Sequence, residues 1–213
     1  MTLGDLLRQI IYNTISLITI IDPIAGAATM LSLLPAAPPE GRETARIAWR
    51  ASLTVLVASV VTILFGDVIF EIFGISLMSI QAIGGIVLLL VSIDMIQGKM
   101  EPSTRHSEAE TDEALAKEDI SIIPLGIPML FGPGLIATLI VFKSNSSSME
   151  QKAVLFLSML ISVASVYLAL RFAEHIHKIL GVTGLRITNR VVGLIVGAIA
   201  VQFIVVGVKG LWM

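Results

Sequence analysis

The run from Val191 to Val208, VVGLIVGAIAVQFIVVGV, contains no charged residue and a single hydrogen-bonding side chain, Gln202. As a helix it would be about 27 Å long, close to the ~30 Å hydrocarbon thickness of a bilayer. Comparable runs recur over Leu6–Leu34, Ile47–Phe65, Leu77–Ile96, Ile120–Phe142 and Val154–Leu170. Composition agrees, with 55% hydrophobic and 14% charged residues and a mean hydropathy of +0.93. Soluble domains carry nearly twice that share of charge. The expected fold is therefore an all-α integral membrane protein of six transmembrane helices seated in a lipid bilayer.

Other counts exclude function classes. A net charge of −2 provides no basic surface for nucleic acid. The absence of cysteine removes disulfides, thiol chemistry and thiolate metal sites. A cleaved signal is not expected at the N-terminus, because Asp5 offsets Arg8 and Asp22-Pro23 interrupts the apolar segment. Lys and Arg divide ten to four between the two sides of the six-span layout. The ten include Arg42, Arg46, Arg50, Lys99, Arg105, Lys117, Arg171, Lys178, Arg186 and Arg190. That side should be cytoplasmic, which leaves both termini outside.

The two halves of the chain resemble each other. IFEIFGISLMSIQAIGGIVLLLVSID (69–94) aligns with IHKILGVTGLRITNRVVGLIVGAIAVQ (176–202). Gly74 falls on Gly181, and after one inserted residue Leu77 falls on Leu185, Gln81 on Asn189, Gly85 on Gly193 and Asp94 on Gln202. DPIAGAAT and GPGLIAT each set a proline beside glycine, with threonine following. Three spans per half force the second half to enter from the opposite face. The expected organisation is a 3+3 inverted repeat: residues 1–98, an acidic cytoplasmic loop over 99–119 as a solvated connector, and residues 120–213.

Pro23 and Pro133 lie within the first span of each half, so the first and fourth helices are expected to be discontinuous. Unpaired backbone groups are tolerated at membrane depth only inside protein or against a water-filled cavity. Amides after the breaks, around Gly26–Ala28 and Leu135–Ala137, suit a carboxylate. Carbonyls before them, around Thr19–Ile21 and Leu130–Phe131, suit an ammonium group or a cation. A zwitterion fits between two such ends. In the first half the candidate binding residues are Thr19, Asp22, Pro23, Ala25, Gly26 and Ala27. Those of the second half are Leu130, Gly132, Pro133, Gly134, Leu135 and Thr138.

Asp22 is the one acid deep in a span, an expensive placement that calls for a task. Two remain open from the sequence: coupling to a proton or another cation, or capping the amides of the second half-helix. Ser16 and Thr19 precede it on one side of the helix and could bond to it. Gln81, Asn189 and Gln202 read as helix–helix hydrogen bonds. His106, His175 and His177 fall in or beside loops without a third ligand, so no metal site and no cofactor are expected. The membrane serines lack an activating base, and Asp22 and Asp94 lie at different depths. An enzyme is therefore not expected.

IPLGIPMLFGPGLIATLIVF closely resembles the second signature of the MarC-related membrane proteins, and IDPIAGAATMLSLLP looks like a variant of the first. The likeness covers essentially the whole chain. It implies an inner-membrane location and a carrier of small neutral amino acids such as glycine and alanine, bound by the broken helices. Coupling to H+ or Na+ and an oligomeric assembly are compatible with it. Carried over, the motifs mark Asp22 and Pro23, then Pro128, Gly132, Pro133, Gly134 and Thr138. In the first motif Ala25, Gly26 and Ala28 depart from the family's Asp/Asn-Pro-x-Gly-Asn pattern and its following proline, which bears on substrate choice.

Overall fold

The computed structural model describes residues 3–34, 41–98 and 120–212. The acidic loop over 99–119, with Lys99, Arg105, His106 and Lys117, lies outside the described residues. All regular structure among the described residues is helical. In chain order the elements are α1 (Leu3–Ile21), α2 (Pro23–Leu33), α3 (Gly41–Ile72), α4 (Leu77–Gln97), a π-turn segment (Leu125–Leu130), α5 (Pro133–Ser144), α6 (Met149–Arg171) and α7 (Ala173–Trp212). Five stretches are long and apolar enough to cross a membrane, with α1 and α2 counted as one; α5 is a shorter apolar helix. The chain is a multi-pass membrane protein.

Local chemistry sets the helix ends. Ser76 caps α4, its hydroxyl accepting from the Ser79 N–H at 3.2 Å. α6 opens on a capping box between Ser148 and Gln151. α7 turns at Gly181, whose φ of 59° and ψ of −178° are open essentially to glycine alone. Gly74, ahead of α4, also has a positive φ, 65°.

The expected fourth span, Ile120–Phe142, is helical in the α sense only from Pro133 onward. Three prolines, Pro124, Pro128 and Pro133, each remove an N–H from the ladder. The chain responds with i→i+5 bonds: Gly126 N–H donates to Ser121 O at 3.1 Å, Ile127 to Ile122 O at 2.8 Å and Phe131 to Gly126 O at 2.9 Å. Ile127 leaves helical angles altogether (φ −128°, ψ 128°). The π-turn is thus the backbone's way of staying bonded through a proline-rich stretch.

Helices without a hydrophobic drive to associate in lipid rely on close approach and interhelical hydrogen bonds. The broadest contact is α4 on α7. A Cβ on Gly85 would lie 2.7 Å from Ala200 O and 2.8 Å from Ile204 N; one on Gly193 would lie 2.8 Å from Met95 Cβ and 3.2 Å from Ser92 O. Elsewhere, the Ser158 hydroxyl on α6 donates to Ile10 O of α1 at 3.3 Å and to its own helix at Val154 O at 2.8 Å. The membrane serines therefore have a packing role. On α3, Ile47, Ala51 and Val55 are buried, while Leu53, Val57, Val61 and Leu64 form the exposed apolar face that suits lipid.

Candidate functional site

The α1–α2 junction is built by two adjacent residues. Pro23 has no N–H for the Thr19 carbonyl, so α1 stops at Ile21. Asp22 turns into the left-handed region (φ 49°, ψ 70°), where aspartate is among the few residues accommodated. Its N–H still reaches Ile18 O at 3.0 Å, and its carbonyl accepts from Gly26 N–H at 3.0 Å. Oδ1 accepts from Ala25 N–H at 3.1 Å. Asp22 is thus the N-cap of α2. Ser16 and Thr19 do not bond its carboxylate. The other oxygen, Oδ2, is sealed from solvent and has no hydrogen-bond partner. A buried acceptor left unpaired costs about 1–3 kcal/mol, and more when charged.

The second junction lacks such a cap. Gly132 precedes α5 with extended angles, Pro133 is the first helical residue, and no side chain bonds the helix start. Leu135 and Ile136 N–H groups both donate to Gly132 O, at 3.0 and 3.2 Å. Further along, Thr138 back-bonds to Gly134 O at 2.8 Å, as Thr29 does to Ala25 O at 3.0 Å after the first junction. Two helix starts of similar make-up therefore differ in capping as well as in backbone angles. The α2 amides are already engaged by Asp22, whereas α5 presents its end uncapped.

The junctions touch. A Cβ on Gly26 would lie 2.6 Å from Leu130 Cδ2, at the end of the π-turn. Leu130 is buried and covers Gly26. Gly134 packs in the same way under Leu88, whose Cδ2 would stand 2.6 Å from an added Cβ. Pro23, Gly26, Ala27, Leu135 and Thr138 are buried, Thr19, Ala25 and Gly132 are half-buried, and Pro133 is exposed. Pro133 instead borders an apolar cavity of about 370 Å³, lined also by Phe70, Ile80, Ile83, Gly84 and Ala137.

Asp22 has neighbours that the sequence reading did not give it. With Ile24 and Ala25 it forms one wall of a crevice, and Leu185, Thr188 and Asn189 of α7 form the other. Asn189 is 8% exposed, and its Oδ1 is buried without a partner. The one clue in the sequence was the alignment of Asn189 with Gln81; hydropathy alone placed Asn189 just outside the last apolar run.

The family model described as MarC family integral membrane protein matches residues 7–212. A UPF0056 membrane protein of Methanocaldococcus jannaschii is 35% identical over 92% of this chain and 93% of its own length. UPF0056 membrane proteins of Escherichia coli, 27% identical over 93% and 91% of the two chains, and of Bacillus subtilis, 29% identical over 95% of each, are also similar. No solved structure matches.

Proposed function

The chain belongs to the MarC family of integral membrane proteins, and from that membership and the paired junctions we propose that it is a secondary transporter of small neutral amino acids. The observation that supports the reading is the contact of Gly26 with Leu130, which sets the start of α2 against the end of the π-turn that leads into α5. The substrate carboxylate goes to the Gly134 N–H at the uncapped start of α5, where the Leu135 and Ile136 N–H groups are already bonded to Gly132 O. Its ammonium group goes to the carbonyls that proline leaves free, of which Thr19 is the clearest. Because Asp22 already engages the α2 amides, Gly26 serves as a floor without a side chain and not as an anion site. That favours glycine and alanine. Leu130 must swing off Gly26 for a solute to enter.

The reading includes an inverted repeat of three spans each, with the breaks of the first and fourth spans facing one another at the midplane. The α4–α7 contact supports it. The register that sets Gly85 on Gly193 and Asp94 on Gln202 also sets Ser92 on Ala200 and Ile96 on Ile204. Gly85 meets Ala200 and Ile204, and Gly193 meets Ser92 and Ile96. Such reciprocity belongs to a twofold relation. The positive φ values of the aligned Gly74 and Gly181 support it again. In this reading the basic loops face the cytoplasm, the termini face outward, and the bilayer is the inner membrane.

Thermal unfolding of the detergent-purified protein against twenty amino acids tests the substrate class. Glycine and alanine should raise the midpoint, by the equivalent of about 2.7 kcal/mol at a hundred times Kd. N-acetylglycine and bulky amino acids should not. A flat response across all twenty would refute the substrate assignment.

A further inference from the structure

We propose that Asp22 Oδ2 and Asn189 Oδ1 together bind the coupling cation, a proton or Na+, in the crevice between the start of α2 and α7. The proposal rests on the transporter reading and gives it a location for coupling. Both oxygens are acceptors, both are sealed from solvent, and neither has a partner. Their residues line one crevice. Two orphaned acceptors on facing helices call for positive charge or a shared proton. A second carboxylate, such as the substrate's, would worsen the imbalance. Carboxylate and amide oxygens are hard donors, suited to H+ or Na+ and not to soft metals.

No second ionisable side chain among the described residues competes for the role. The remaining crevice residues, Ile24, Ala25, Leu185 and Thr188, do not titrate. The buried residues of α6 are apolar or serine, and those of the π-turn are Leu125, Gly126 and Leu130. α1 buries Asn13, Ser16, Leu17 and Ile21. On α7 the neighbouring Arg186 and Arg190 are exposed. The repeat-related pair, Gly132 of the second half and Gln81 of the first, has no carboxylate. One cation per chain follows.

The test is thermal unfolding of the purified full-length protein without amino acid. One series replaces choline with Na+ at constant ionic strength and fixed pH; the other varies pH in choline alone. Wild type should gain stability with Na+, which identifies Na+, or only with acid, which identifies the proton. Asp22→Asn should remove the response, its amide donating to Asn189 in place of the ion. Asn189→Leu should weaken the half-point at least tenfold, and Asn189→Asp should keep a response, with an acid half-point moved to higher pH by the second carboxylate. If Asp22→Asn does not fold, the two Asn189 variants decide alone. A wild-type response retained in Asp22→Asn or Asn189→Leu, or no response to either condition, overturns the proposal. Parallel glycine titrations separate the two readings. Glycine stabilisation without a cation response removes only the cation site, and a cation response without any amino-acid response removes only the substrate assignment.

Discussion

Gly84 of α4 and Ala137 of α5 form a contact in which a single methyl group decides the helix spacing. A Cβ added at Gly84 would fall on Ala137 Cβ, well inside van der Waals contact. Carbon pairs settle near 3.5–4.0 Å, so Gly84→Ala forces α4 and α5 apart by roughly 1 Å or more at that point. Overpacking of this kind costs about 1–3 kcal/mol. Ala137→Gly alone should cost about 1 kcal/mol through helix propensity. The double variant moves the methyl from one helix to the other and should recover most of the Gly84→Ala loss. Thermal unfolding of the four proteins gives the coupling energy, expected to be about 1–3 kcal/mol in favour of the pair. Because α5 begins at Pro133 and Gly134, substrate response should fall and recover in step. Additive losses, within about 0.5 kcal/mol, would refute the contact and with it the placement of α5.

Three other outcomes follow from particular residues. Leu130→Ala should widen the space above Gly26 and let valine or leucine compete with glycine binding, whereas Leu130→Trp should abolish binding while the protein still folds; unchanged selectivity in both would place the substrate elsewhere. Gly181→Ala should lower stability by about 1–3 kcal/mol and Gly74→Ala by about 1–2 kcal/mol. Neither added methyl meets another atom within 4 Å, so the loss in both is a backbone effect, readable as a lower unfolding midpoint. Asp22→Asn should change the pH or Na+ dependence of uptake, and Asp22→Ala should in addition lose the α2 cap, about 1 kcal/mol by thermal unfolding.

The apolar spans of α4 and α6 are legible from hydropathy alone; the seventeen residues from Val154 to Leu170, without a charge, suit a helix in lipid. Helix ends are less so. α3 starts at Gly41 and runs to Ile72, past the expected Ile47–Phe65, and α7 starts at Ala173. Hydropathy stops at Arg42, Arg46, His175 or Arg186, but helical structure includes them, with α7 broken at Gly181. The junction at Asp22 was readable because Pro23 cannot donate to Thr19. The π-turn was not, because three prolines forbid an α-helix without saying which alternative bonding replaces it. Asp22 as a cap was one of two open readings, and geometry now assigns Oδ1 to that role. Its crevice partner Asn189 was hidden, since the meeting of α2 with α7 is a long-range contact that no local pattern encodes.

In the proposed carrier the helix starts at Asp22 and Pro133 take a small zwitterion across the membrane. Uptake of labelled glycine into proteoliposomes tests it most directly. The account expects saturable uptake above empty vesicles, competed by unlabelled alanine, unaffected by N-acetylglycine, and lost in Leu130→Trp. Folded, reconstituted protein that accumulates no more glycine than empty vesicles, under both a Na+ and a proton gradient, would contradict it.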